Sequence, residues 1–396
     1  MSLYVRAGSI FEDLSNNGIS HLFEHVVFRN IKNKYENFYE LLAMHGLCFQ
    51  ASTYKKFVSF TIDGPQHEFD FAIEILCGLF DEIKLTSHDF NNEKGRIKAE
   101  IREKDRRSSL DFYFDSIVWK NSEVEKIVLG YCKTVDRVSV KKINEFRQKV
   151  LSAGNCFVYA TGNISDENLD ALNKKISELD ISQSNPGFTN TVTVNNEFFH
   201  REKKIWIKNN YWHYIQIGFD VDCSKYPGGV YDLLYALLFN GDKALVYNYL
   251  SEDNPIIYSY DSAFAQYDNV GNINFSFEVD RNKIEDVFKT VVELLNAAKD
   301  GRFNFEANLN YEMFNWELDL DKPSNLNWNM AYYNHILKTE PIDYSDEFYG
   351  RFRVTKKQVT DAAKDIFRRC NMTVAVKGDR KKINAEAIEK ILESLD

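Results

Sequence analysis

Apolar and polar positions alternate over residues 2–8, which predicts a strand at the start of the chain. Gly18 then precedes a helical stretch. Residues 35–45 have helical periodicity and end at Gly46, a residue suited to the left-handed turn that closes a helix. Residues 49–63 alternate, rich in aromatics and Thr, and break at Gly64-Pro65, so they read as a strand. A core-facing helix is predicted over 68–80, a long acid–base helix over 90–107, and a further helix over 140–151. A short buried strand over 157–161 and an amphipathic helix over 166–179 follow. Periodicity is lost over 182–196, where Ser, Asn and Thr surround Pro186-Gly187; this is the best linker. A similar plan then resumes. An aromatic, strand-like stretch covers 204–219, with a helix over 231–240 and a strand over 272–279. Helices over 284–298 and 303–318 and a closing strand over 373–377 complete it. The pattern is α+β, with domains over 1–181 and 200–396 joined by a linker over 182–199.

Composition narrows the class. The 396 residues suffice for two domains with sizeable cores. With 30 Phe, 22 Tyr and only 6 Pro, the chain is folded rather than disordered. Its net charge of -10 argues against a nucleic-acid or anionic-membrane surface. The basic run Arg380-Lys381-Lys382 is too short to change that. Cysteines 48, 77, 132, 156, 223 and 370 form no C-x-x-C, which reads as reduced thiols in a cytoplasmic protein, several of them in the core. No secretory leader pattern opens the chain, and no uncharged run is long enough to insert in a membrane. The most apolar stretch, 231–250, is interrupted by Asp242 and Lys243. There is no phosphate-binding Gly loop and no nucleophile elbow.

Chemistry concentrates in His21-Leu22-Phe23-Glu24-His25. On a helix, positions i and i+4 share a face, so both imidazoles can reach one metal ion with Glu24 beside them. A catalytic zinc uses three protein ligands and keeps a position for water, so a third donor is needed from another element. The best supplier is the acidic run over 93–103. Glu93 and Glu100, seven residues apart, share a helical face, and Glu103 lies near it. Taken alone, that run reads as a charged, solvated helix. The remaining histidines, His45, His67, His88, His200, His213 and His335, have no partner spacing and read as surface or hydrogen-bonded core residues.

The order H-x-x-E-H followed by a Glu inside E-x-x-x-x-x-x-E resembles the pitrilysin (M16) family of zinc metallopeptidases. The flanks Gly18-Ile19-Ser20 and Val26-Val27-Phe28, the strand-like segment 46–53, residues 130–138 and the segment 156–163 resemble the same family. The resemblance implies two M16-type (LuxS/MPP-like) domains, each a mainly antiparallel sheet packed on helices, forming half of a clamshell. It implies Zn2+ held by His21, His25 and Glu100, with Glu24 as general base and Glu93 as a supporting acid. It further implies that an extended peptide pairs with the strand at Gln50, Ala51 and Ser52, although the family usually has Asn where Gln50 stands. Family members also carry strand sequence before the point where this chain opens, so one sheet edge is expected to be shortened or completed by something else.

One family feature is incomplete. The family's second half supplies an Arg and a Tyr seven residues apart to bind the substrate carbonyl and the tetrahedral intermediate. Tyr258 fits the tyrosine, but Ser251 stands seven residues earlier. Two-chain members divide these parts between subunits. The expectation is therefore a zinc-bearing endopeptidase subunit that works with a second M16-like subunit supplying the Arg–Tyr pair. Its size resembles that of two-component bacterial peptidases that mature subtilosin-type bacteriocins, which implies a precursor or leader peptide as substrate. The alternative is a non-catalytic peptide-binding subunit of an M16 heterodimer.

Overall fold

Leu3 and Val5 of the first strand point into an apolar core while Tyr4 points away, which fixes the strand's register by burial. This computed structural model describes residues 1–104, 110–183, 192, 199, 203–337, 350 and 352–395. Most of the expected linker over 182–199, and His200, lie outside the described residues.

The described elements run, in chain order, β1 (Ser2–Arg6), α1 (Ile19–Lys32), α2 (Phe38–Met44), β2 (Cys48–Thr53), β3 (Phe57–Asp63), α3 (Phe69–Gly78), α4 (Ser87–Glu103), α5 (Leu110–Val118), α6 (Cys132–Asp136), α7 (Val140–Val150), β4 (Cys156–Tyr159) and α8 (Asp166–Ser177). The second half continues with β5 (Ile205–Asn209), β6 (Tyr214–Asp222), α9 (Gly228–Phe239), α10 (Leu245–Tyr247), β7 (Asp261–Tyr267), β8 (Val270–Glu278), α11 (Ile284–Lys299), α12 (Phe305–Leu320) and α13 (Pro323–Ala331). The helix Lys356–Ile366, β9 (Met372–Gly378) and the helix Ala385–Leu392 close the chain.

Two compact units result. The first comprises Met1–Asp105, Glu123–Asn190 and Asp319–Ile342; the second comprises Arg106–Ser122, Thr191–Leu318 and Asp343–Asp396. The first has a four-stranded sheet in the order β2-β3-β1-β4, antiparallel throughout. The second has a five-stranded sheet, β5-β9-β6-β8-β7, antiparallel except for the β5–β9 pair. One face of the first sheet packs Leu3, Val5, Val58 and Phe60 against Leu22, Phe23 and Val26 of α1. In the second unit Ile215, Ile217, Ile273 and Phe275 pack against Leu234, Leu238, Val287 and Val291 in the same way.

The opposite face of each sheet is covered by a helix from the other half of the sequence. In the first unit this is α13. Tyr4 Oη donates to Asn327 Oδ1 (2.9 Å), and the Asn327 amide donates to the Tyr159 carbonyl (2.9 Å). In the second unit it is α5, whose Phe114 lies over Gly218 of β6.

Several expectations need correction. The stretch 49–63 is a hairpin, β2 and β3, not one strand. Its turn at Tyr54-Lys55-Lys56 carries none of the usual turn residues. It is set instead by tertiary contacts: Gly8 packs on the Tyr54 carbonyl, and Lys55 donates to the carbonyls of Val124 and Lys126. The stretch 204–219 likewise divides into β5 and the start of β6. The strand expected over 157–161 is β4, and it is only partly buried. The helix expected over 90–107 starts earlier, at Ser87, and ends at Glu103; residues 105–107 lie outside the described set. Helices α5, α6, α13, Lys356–Ile366 and Ala385–Leu392, and strand β7, were not expected from the sequence, although Lys356–Ile366 and Ala385–Leu392 each bury one regular helical face. Cys156 and Cys223 are half-buried and pack against the two cores, as expected of core thiols, while Cys48 and Cys370 are exposed. Among the described residues, no helix is long and apolar enough to cross a membrane.

Candidate metal centre

The helix bearing the His-Glu-His run starts from a turn held by a carboxylate. Gly18 adopts φ +95°, and a Cβ there would stand 2.9 Å from the Leu129 carbonyl and from Gly130 Cα, so glycine is required. Glu12, 4% exposed, accepts N–H bonds from Gly18 (2.7 Å) and Ser20 (2.8 Å) and from the Asn17 amide (2.8 Å). Burial raises the Glu12 pKa against the pull of those bonds. Its carboxylate satisfies N–H groups at the start of α1, where the helix dipole favours an acid.

His21 and His25 therefore sit on the first two turns of a fixed helix, their rings 4.6 Å apart and inclined at 77°. Glu93 and Glu100 come in on α4. That helix is capped by Thr86, whose hydroxyl accepts from the Asp89 N–H (3.1 Å). Asp89 in turn pairs with Arg29 of α1 (2.6 Å), tying the two helices together.

The expected ligands converge. His21 Nε2 stands 3.5 Å from Glu100 Oε2, and His25 Nε2 stands 3.8 Å from Glu100 Oε1. One donor atom from each of the three residues lies within 4.8 Å of the others, the one such group of His, Cys, Asp and Glu among the described residues. These separations are too long for strong hydrogen bonds. They are close to the roughly 3.4 Å between ligands arranged tetrahedrally at about 2.0–2.1 Å around zinc. His25 Nδ1 faces Glu93 Oε2 at 3.5 Å, the arrangement by which an outer carboxylate fixes an imidazole's orientation. His21 Nδ1 is buried with no hydrogen-bond partner among the described residues. The donor set, two imidazoles and a carboxylate, suits a small divalent cation.

Electrostatics separate the members of the cluster. Burial, helped by the charges of His25 and Lys104, pushes His21 down to about 3, so the imidazole stays neutral. Burial also works to lower His25, but the bond to Glu93 and the charges of Glu24, Glu100 and Glu93 outweigh it and raise its pKa. Burial raises Glu24, with Glu100 adding to the rise and the Thr53 bond and His25 opposing it. Glu24 accepts a hydrogen bond from the Thr53 hydroxyl of β2 at 2.6 Å. Thr53 was not singled out as a site residue, although it directly follows the expected peptide-binding segment.

β2 is an edge strand, so one rim of its backbone has no partner within the sheet. Gln50 and Ser52 are exposed and Ala51 is half-buried. With Glu24, His25, Phe28 and Phe49 they line a pocket of about 430 Å³. Its helix residues could have been found by extending the i, i+4 spacing from His21 through His25 to Phe28, Arg29 and Lys32.

Tyr258 belongs to the second unit. It is 98% exposed. It lines a cavity of about 960 Å³ with Tyr211, Trp212 and Arg281. Ser251 lies in the π-helix Asn248–Glu252. The histidines without expected roles behave as such. His45 bonds Glu68 (2.6 Å), His88 bonds the Asn92 amide (3.0 Å), His335 stacks on Phe157 (4.1 Å), and buried His213 accepts the Asp379 N–H (3.2 Å).

Comparison with known proteins places the chain. The model of insulinase (peptidase family M16) matches residues 1–130, and that of the peptidase M16 inactive domain matches residues 137–307. A zinc protease PQQL-like protein of Arabidopsis thaliana is 27% identical over 180 residues, covering 42% of this chain and 18% of that protein. The mitochondrial-processing peptidase subunit beta of Homo sapiens is 24% identical over 174 residues, covering 43% of this chain and 36% of its own length. The matches thus span well under half of these curated relatives. A crystal structure of a protease from Helicobacter pylori has the same fold, with TM-score 0.80 at 17% identity, covering 95% of this chain and 92% of that one. With both family models matched in order and the two-domain fold shared, the chain belongs to the M16 peptidase family.

Proposed function

We propose that this chain is a zinc-dependent endopeptidase subunit that cleaves extended peptides, acting in the cytoplasm in a chamber formed with a second M16-like subunit. The observation that carries the reading is the convergence of His21, His25 and Glu100 within 4.8 Å, with Glu24 beside them at an open strand edge.

His21, His25 and Glu100 would hold the ion. When bound, zinc supplies a Lewis acid for the scissile carbonyl and makes water acidic near neutrality. Glu24, held by Thr53, takes a proton from the attacking water and delivers it to the leaving amine. Its raised pKa suits both roles. Glu93 orients His25. The peptide adds to β2 alongside Gln50, Ala51 and Ser52, through main-chain bonds that are largely indifferent to sequence. Tyr258 contributes to substrate binding. With Ser251 where an arginine would stabilise the oxyanion, the partner supplies the Arg–Tyr pair. A relative whose name marks it as a subunit, the mitochondrial-processing peptidase subunit beta, is in keeping with that division. The substrate class is a precursor or leader peptide of a ribosomally made peptide antibiotic.

Glu24→Gln tests the reading. Metal content by atomic absorption is expected to be unchanged, while peptide cleavage by the reconstituted pair falls about 10²–10⁴-fold, the usual weight of a general base. Cleavage unaffected by the substitution would make the chain a peptide-binding subunit without catalytic residues of its own.

A further inference from the structure

We propose that the pocket beside the cluster selects an acidic side chain of the bound peptide, with Lys32 as the cationic anchor; this rests on the peptidase reading and gives it a substrate class. The pocket is a continuation of the cluster along α1. His25, Phe28, Arg29 and Lys32 follow one another on the same helical face. The floor is apolar: Phe28 stacks on Phe49 of β2 with ring centres 4.8 Å apart and planes 5° from parallel. Tyr39, 55% exposed, forms the outer wall.

The charges lining this space are already committed, with one exception. Arg29 is paired with Asp89 (2.6 Å) and Arg96 with Glu93 (3.4 Å). Glu24 is bonded to Thr53, and Glu93 faces His25. Lys32 has no acid partner among the described residues. Its ammonium lies over the Tyr39 ring, 4.4 Å from the centroid. An ammonium resting on an aromatic face beside an apolar floor offers an incoming ligand one positive charge that has no acid partner among the described residues. A side chain with a short apolar stem and a terminal carboxylate fits both features, and a lysine or arginine there meets like charge.

The reach is consistent with a peptide on β2. Lys32 is seven residues beyond His25, about 10 Å along the helix axis, and helical side chains lean back toward the N-terminus. That is about three residues of extended peptide, so the selected acid lies within about three positions of the cleaved bond.

The test uses the full-length, zinc-loaded Glu24→Gln protein, which binds without cutting. Short fluorescent peptides carry a single Glu moved along a neutral background, with Gln and Lys counterparts, and binding is read by anisotropy. At one position Glu should bind about fivefold tighter than Gln and at least about tenfold tighter than Lys, as expected for one partly desolvated ion pair. Lys32→Met should remove the discrimination and Lys32→Glu should reverse it. Binding with no charge preference at any position, or a preference that survives Lys32→Met, overturns the inference. The unmutated protein with its partner subunit separates the two readings. Cleavage without charge preference sinks the pocket and leaves the peptidase. Lys32-dependent selection without cleavage keeps the pocket and sinks the peptidase. No binding of any peptide sinks both.

Discussion

The two units share a plan and differ in what it carries. Read across the sheets, β4, β1, β3 and β2 of the first unit correspond in order and in their antiparallel pairing to β9, β6, β8 and β7 of the second. In each, a helix follows the central strand: α1 after β1 and α9 after β6. α9 is apolar almost throughout, with Val230, Leu233, Leu234, Leu237 and Leu238 buried. α1 buries Leu22, Phe23, Val26 and Val27 but spends its other face on His21, Glu24 and His25. The same scaffold thus supports a cluster of candidate metal ligands on this helix in one unit and an apolar core helix in the other. Chemistry here is a matter of a few side chains on one helical face, not of the fold.

The outer faces differ as well. In the first unit the face under α13 is aromatic, with Tyr4, Phe57 and Phe157 against Trp328 and Tyr332. In the second, the face under α5 is a polar row: Gln216 bonds Asn274 (3.1 Å), Asn274 bonds Asn272 (3.2 Å), and Asn272 bonds Asp220 (3.0 Å), which pairs with buried Lys203. Both faces are covered, but one by ring packing and the other by a hydrogen-bonded row on which Phe114 lies. The polar row tolerates burial because amide donors pass along it to Asp220, leaving Gln216 Oε1 as its one buried atom without a hydrogen-bond partner among the described residues.

That contrast can be broken at several points. The largest effect is expected at Phe114, wholly buried and lying over Gly218 beside the polar row. Phe114→Ala should cost about 3–5 kcal/mol in urea-induced unfolding; a loss under about 1 kcal/mol would mean that α5 is not part of the second core. Gly218→Ala comes next. Its Cβ would stand 2.6 Å from Phe114 Cζ and 2.7 Å from Asn272 Oδ1, so a loss of about 1–3 kcal/mol is expected. A neutral result would show the face to be loosely packed.

In the first unit, Tyr4→Phe removes the buried bond to Asn327 while keeping the ring. It should lower stability by about 1–1.5 kcal/mol, read in the same unfolding experiment. If the change were silent, ring packing alone would hold α13.

The smallest effect is a pH slope. Burial lowers the His213 pKa, and its Nε2 accepts the Asp379 N–H, which only the neutral ring can do. At this residue the folded protein therefore binds fewer protons than the unfolded chain below pH 6.5, and its contribution to stability should fall as pH drops through that value. His21, held neutral to about 3, adds to the slope in the same direction, and His25, whose pKa is raised, works against it. His213→Asn should flatten the slope between pH 7 and 5 by less than about 1.4 kcal/mol per pH unit. An unchanged slope would assign the whole effect to other groups.

Local pattern carried a large part of this molecule. The i, i+4 histidines, the shared face of Glu93 and Glu100, the helices over 140–150 and 284–298, and the alternating strands β1, β8 and β9 are all encoded within a few residues. A helix or strand needs only its own periodicity to declare itself. Where local signals were absent, reading failed. The turn at Tyr54-Lys55-Lys56 has no turn residue of its own and exists because Gly8 and the 124–126 carbonyls hold it. Helices α5 and α13 were missed because each is short and stabilised by a sheet from the other half of the sequence.

The sequence by itself determined which residues could bind a metal, by placing two imidazoles one helical turn apart and two carboxylates on one helical face. Only the tertiary structure decided that Glu100 meets both imidazoles, that Glu24 rests on Thr53, and that Lys32, without an acid partner among the described residues, lines the pocket beside them. Spacing along one helix is set by backbone geometry. The distance between helices separated by some sixty residues of chain is set by how their apolar faces pack.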